Sequence, residues 1–182
     1  MSRKYKFGDS SKLYFISFAV VYWIDLFIRK EYKDILVESW RHCQTEKGLE
    51  IYCWCVMTSH VHMIVGSKSR PLDKIVGEMK SYTSRALRKA IAEHPEESRR
   101  EWMTLMMEKA GTQNSNNNEW QLWQQHNKPI ELFNREIFLQ KLNYIHRNPV
   151  EAGFVEKEED YLYSSARDFY DKKGLIELSY LV

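Results

Sequence analysis

Two histidines one residue apart, His60 and His62 in the run MTSHVHMIVG, are the first candidates for chemistry in this chain. If the run is a strand, both rings leave the same side of a sheet, because strand side chains alternate with a period of two. Ring nitrogens placed in this way can share one cation, and imidazole is a common metal ligand. Histidine pairs also occur as half-buried strand residues with no ligand, so the spacing alone leaves both readings open. Two sources of further ligands compete. Cys53 and Cys55 could complete a closed zinc site of two thiolates and two imidazoles, although two small buried strand residues need no metal at all. Oxygen donors from elsewhere would make an open site suited to Mg²⁺ or Mn²⁺, with positions left for a phosphate.

Such donors lie far along the chain. In NREIFLQKLNYIHRNPVEAG, the residues Ile137, Lys141, Tyr144 and Asn148 recur at helical spacing, while Phe138, Leu142 and Ile145 form the adjacent apolar stripe. An ammonium, a phenol and an amide therefore share one helix face. Taken singly, Tyr144 is one of eleven tyrosines and reads more readily as an ordinary amphipathic packing residue. The basic stretch from Lys68 to Lys89 is a third feature, with seven basic residues against two acidic ones. Lys80, Arg85, Arg88 and Lys89 could follow phosphates, and Tyr82 could stack on unpaired bases; the same charges would equally solvate a helix face.

The elements that must carry these groups follow from periodicity. Residues 13–24 are rich in aromatic and β-branched types and read as a first strand. Residues 29–47 place Tyr32, Ile35, Leu36 and Trp40 on one helix face, with Gly48 as the stop. In LEIYCWCVM, Ile51, Cys53, Cys55 and Met57 alternate with Tyr52, Trp54 and Val56, giving a second strand. HVHMIVG is a third, paired to the second as a tight hairpin, with His60, His62 and Ile64 on one face and Val61, Met63 and Val65 on the other. A second helix runs from Pro71 to about Ala92. Residues 93–118 read as a polar, mobile insertion. A fourth strand is expected around Trp120 to Gln125. A third helix then begins with Asn134 as N-cap and ends near Arg147, ahead of Pro149. The tail with DYLYSSARDFY packs back on the domain. This order predicts an α+β fold: a ferredoxin-like antiparallel sheet with helices on one face.

Bulk properties narrow the class. A chain of 182 residues suits one domain. Its 43% apolar and 29% charged residues exclude a disordered chain or a membrane bundle. Net charge of only +2 leaves any nucleic-acid field to local clusters. Three cysteines are a poor disulfide framework. The apolar run LYFISFAVVYWI is too short to span a bilayer and offers no small-residue cleavage site, so the expected location is the cytoplasm, with no membrane partner.

Several of these runs match a known family. SHVHMIV resembles the histidine, hydrophobic, histidine motif of HUH nucleases, and LNYIHRNPVEAGFV followed by DYLYSSA resembles the tyrosine helix and tail of IS200-like single-tyrosine (Y1) transposases, above all the REP-associated tyrosine transposase branch. The likeness runs over about residues 10–170 with the motifs in order. It departs at the 93–118 excursion, and at MTSHVH, where that branch often has a proline and an asparagine before the first histidine. The resemblance implies that His60 and His62 bind the metal with Asn148 as a third, amide ligand, and that Tyr144 is the nucleophile. It implies cleavage of single-stranded DNA hairpins, formed by imperfect palindromes, through a 5′-phosphotyrosine link with release of a 3′-OH. Mg²⁺ or Mn²⁺ would be the cofactor, and a homodimer exchanging the tyrosine helix stays open beside a monomer. A free phenol ionises only at about pH 10, so something must favour its ionised form; a divalent cation and Lys141 could do so. The competing class is a non-catalytic nucleic-acid-binding module on the same kind of sheet, which would not need Tyr144 to meet the histidines.

Overall fold

The computed structural model describes residues 7–9, 11–114 and 119–180. In chain order the main elements are β1 (Tyr14–Ala19), α1 (Lys30–Lys47), β2 (Leu49–Val56), β3 (His60–Ser67), α2 (Leu72–Glu93), α3 (Arg100–Thr112), β4 (Ile130–Glu131) and α4 (Arg135–Glu151). The strands form one antiparallel sheet in the order β2, β3, β1, β4. This is the ferredoxin-like α+β class expected from the element order.

The period of two sorts side chains to two faces. Ile16, Phe18, Trp54, Val56, Val61, Met63 and Val65 join the main core with the buried residues of α1 and α2. On the other face Phe15, Cys53, Cys55, Met57 and Ile64 pack with Leu142 and Ile145 of α4. Thus α1 and α2 share one face, and α4 crosses the opposite one, where His60 and His62 point. The β2 alternation slips once. A bulge between Ile51 and Cys53 leaves Tyr52 unpaired in the register, so Ile51 joins the main core while Cys53 and Cys55 stay on the α4 face.

Four boundaries differ from the sequence reading. β1 ends at Ala19 rather than near residue 24, because the chain turns through two short 3₁₀ segments with positive φ at Tyr22 and Trp23. The fourth strand is Ile130–Glu131, not 120–125. The earlier segment follows the end of β1 with only a single bridge, Val20 to Trp123, because β1 has already turned away. The expected polar excursion over 93–118 contains α3, whose Met103 and Met107 are fully buried in the main core; residues 115–118 lie outside the described part. Apolar positions four apart outweigh the charged flanks there.

Finally, α4 passes through Pro149 to Glu151. A proline near a helix end forfeits one hydrogen bond without ending the helix. The end is set instead by Gly153 at φ 75°: its N–H donates to the Val150 carbonyl at 2.9 Å and the Phe154 N–H to the Pro149 carbonyl at 2.9 Å, the paired bonds of a Schellman cap. Gly153→Ala should cost about 1 kcal/mol from the left-handed φ alone, since nothing lies within 4 Å of an added Cβ. Urea denaturation would show it as a lower midpoint at unchanged slope.

Candidate active site

His60 and His62 leave β3 side by side, ring centroids 4.7 Å apart and planes at 77°. β1 supplies the floor. Ser17 pairs with His62 in register, and Phe15, two residues before it, stacks on the His62 ring at 5.7 Å and 20°. His60 is half-buried, with Ser59 Oγ 3.2 Å from its Nδ1 and the Trp23 ring 5.3 Å from its own. Sequence reasoning missed Phe15 and Trp23, since their place beside the pair depends on strand register and on the turn after β1.

Asn134 caps α4, its Oδ1 accepting from the Ile137 N–H at 2.8 Å. From there the helix lays Leu142 and Ile145 on the sheet. The neighbouring stripe then meets the histidines. Tyr144 stands 5.1 Å from His62 between ring centroids and 6.0 Å from Phe15, and stays 43% exposed. The Lys141 ammonium lies 4.9 Å from the Phe15 ring and 5.7 Å from the Tyr144 ring. Asn148 is half-buried one turn beyond Tyr144 and makes no hydrogen bond to either imidazole among the described residues.

Burial makes the pair unusual. His62 is only 5% exposed, and neither of its ring nitrogens has a hydrogen-bond partner among the described residues. Burial, with help from His60 and the Lys141 charge, pushes its pKa down to about 3. Burial lowers His60 as well, against the pull of Asp25. Both rings are therefore neutral near pH 7, the state in which imidazole offers a lone pair to a metal. Orphaned nitrogens in a neutral buried ring fit a cation ligand, because a buried polar group without a partner is costly. No cluster of three His, Cys, Asp or Glu side chains suited to a metal exists among the described residues, so an amide, a phenol or substrate oxygens must complete any shell.

The cysteines are spoken for. Cys53 Sγ lies 3.2 Å from His146 Nε2, and Ser165 Oγ is 2.8 Å from the same nitrogen. Burial pushes the Cys53 thiol up to about 12 and raises Cys55 as well, and among the described residues neither joins a cluster of three groups suited to a metal. The Cys53, His146 and Ser165 contacts instead tie α4 to β2 and to the returning tail, where Tyr161 and Tyr163 also dock on the Val56 carbonyl and Asp34. That anchoring holds Tyr144 over the histidines.

The basic residues of α2 separate into groups. Lys80, Arg85 and Arg88 line a groove of about 1030 Å³ together with Trp120, Gln124 and Asn127. Lys80 is held there by the Gln124 carbonyl at 3.0 Å and Asn127 Oδ1 at 2.7 Å, and burial lowers its pKa to about 8. The Arg88 guanidinium covers the Trp120 ring at 4.8 Å. Tyr82 is exposed outside the groove, and Lys89 sits 4.0 Å from Glu93. Lys141 belongs with Tyr144 rather than with this surface.

The model of the IS200-like transposase family matches residues 14–111, just over half of the chain. The chain belongs to the IS200-like transposase family. The match takes in β1 through nearly all of α3, with both histidines, and stops short of α4. No curated protein matches this transposase chain. Among solved structures it is similar to a REP-associated tyrosine transposase bound to a REP hairpin, at 16% identity and a TM-score of 0.66, over 98% of this chain and 96% of the other. A candidate transposase from Deinococcus radiodurans R1 is 19% identical over 80% of this chain and 94% of its own, with a TM-score of 0.45. The first likeness extends the shared fold beyond the family match to α4 and the tail. Among the described residues no helix is long and apolar enough to cross a membrane.

Proposed function

We propose that this transposase cleaves and rejoins single-stranded DNA beside a hairpin, with Tyr144 as nucleophile and His60, His62 and Asn148 holding Mg²⁺ or Mn²⁺. The observation that carries the reading is the meeting of Tyr144 with the buried, neutral ring of His62, 5.1 Å between centroids, whose nitrogens have no hydrogen-bond partner among the described residues, across a helix and a sheet face far apart in sequence. A binding module would have no need of that convergence. The hairpin-bound relative, although similar only in fold, makes folded single-stranded DNA the natural probe.

The chemistry divides among the residues present. Tyr144 Oη gives up its proton and attacks phosphorus; the bond from phosphorus to the 3′ oxygen breaks, that oxygen takes up a proton and leaves as a 3′-OH, and the 5′ side stays linked to the tyrosine. Keeping phosphorus in an ester allows the 3′-OH of the same or another strand to reverse the step. Lys141 adds positive charge beside the phosphate, and the exposure of Tyr144 leaves room for the strand. A divalent cation, when bound, supplies Lewis-acid polarisation of the non-bridging phosphate oxygens. Arg85 and Arg88, neither in an ion pair among the described residues, offer phosphate contacts at the groove on α2.

The test is incubation of the protein with single-stranded hairpins from the flanks of its own locus, in Mg²⁺ or Mn²⁺, followed by a denaturing gel. A covalent protein and DNA adduct is expected, and its absence with every hairpin would refute the reading. His60→Ala with His62→Ala should reduce adduct formation by roughly 100-fold or more. EDTA should do the same to the native protein; full activity in EDTA would remove the metal from the proposal.

A further inference from the structure

The turn after β1 holds two bulky residues, Tyr22 and Trp23, at positive φ, 54° and 56°. Side chains with a Cβ avoid this region because of crowding against the backbone. Such strain persists only where the surroundings over-determine it, and it gathers at functional sites. Here the surroundings are a set of clamps. The Val20 N–H donates to the Ser59 carbonyl, the Val21 N–H to Leu122 and the Phe27 N–H to Thr58, each at 2.8 Å, and Thr58 Oγ1 donates to Asp25 Oδ1 at 2.6 Å. The turn is thereby pinned to the connection between β2 and β3, directly before His60.

The result is an indole in an uncommon place. The Trp23 ring meets the His60 ring edge to face, 5.3 Å away at 71°, yet Trp23 is 56% exposed. Trp40 and Trp54, by contrast, are buried and packed on each other at 5.5 Å in the main core. Trp23 leaves most of its surface in water while the backbone bears strain to keep it at the mouth of the site.

The geometry points to Trp23 as a stacking platform for an unpaired nucleobase next to the phosphate that Tyr144 attacks. This inference rests on the strand-transfer reading above and names how the substrate is held there. A flat, rigid ring suits any base, because every base presents a π face. A backbone already fixed in place leaves little motion to lose on binding.

The experiment is a double-mutant cycle in binding, read in EDTA so that no cleavage is needed. Native protein and Trp23→Ala are titrated with a hairpin carrying unpaired flanks, and with copies in which each flanking nucleotide in turn is abasic. Trp23→Ala should weaken binding of the intact DNA by roughly 5- to 150-fold. At one flanking position the abasic change should weaken the native protein similarly and add little to Trp23→Ala. Trp23→Tyr, which keeps a flat ring, should recover most of the affinity. Equal weakening of every substrate by Trp23→Ala, abasic ones included, or no weakening at all, would overturn the platform. Failure of the native protein to form an adduct in Mg²⁺ would overturn strand transfer instead, while the binding cycle would still decide the role of Trp23.

Discussion

Tyr144→Phe is expected to lower covalent adduct formation by roughly 10⁴-fold or more, the scale on which removal of a nucleophile acts, with hairpin affinity nearly unchanged. The substitution deletes one oxygen from a ring that is 43% exposed and whose recorded neighbours are the rings of His62 and Phe15 and the Lys141 ammonium. Phenylalanine preserves all three contacts, so the fold and the DNA surface should persist. Adduct yield on a denaturing gel and affinity from a titration separate the two effects. An undiminished adduct would assign the attack to another group.

Glu97→Ala is expected to cost about 2–3 kcal/mol of stability, because it removes the buried carboxylate that two part-exposed guanidiniums and the Tyr32 hydroxyl share. The Glu97 side chain is fully buried and accepts from Arg29 Nε at 2.9 Å, from the Arg99 N–H at 3.1 Å and Nε at 3.2 Å, and from the Tyr32 hydroxyl at 3.2 Å. Burial pulls its carboxyl upward, and the bonds from the Arg99 side chain and backbone and from Arg29 more than offset this, holding the pKa down at about 2. A carboxylate lowered on folding contributes stability above its unfolded pKa, about 4.3. That contribution is lost as pH falls toward about 2. Chemical denaturation of the native protein should therefore show a falling midpoint from about pH 5 downward, and Glu97→Ala a lower midpoint at pH 7 with a shallower acid limb. A Tm unchanged at pH 7 would show that the cluster contributes nothing. Arg99 also donates to the Asp25 carbonyl at 3.0 Å, so the same cluster supports the turn that presents Trp23.

Glu97 shows why part of the chain was misread in sequence. EHPEESRREW looks like a solvated run because charges are usually exposed, and only partners distant in sequence, Arg29 and Tyr32, make a buried carboxylate tolerable. The fourth strand was misplaced for a related reason: Leu122 and Trp123 are apolar enough for a strand, but the kink at Tyr22 and Trp23 removes the partner they would need. Pro149 reads as a helix stop in sequence, but a proline in the last turn costs one bond and the Gly153 cap sets the end. Cys53 and Cys55 form no metal cluster with the histidines among the described residues; Cys53 instead contacts His146 and Ser165.

By itself the sequence determined the class of fold and the chemical groups: local periodicity places His60 and His62 on one strand face and Lys141, Tyr144 and Asn148 on one helix stripe, and periodicity is a property of neighbouring residues. The tertiary structure alone decided that α4 crosses the face bearing the histidines, that Phe15 and Trp23 join them, and that the His62 ring is neutral, its nitrogens without a hydrogen-bond partner among the described residues. Those outcomes depend on strand register, long-range packing and desolvation, which are set by residues far apart in the chain.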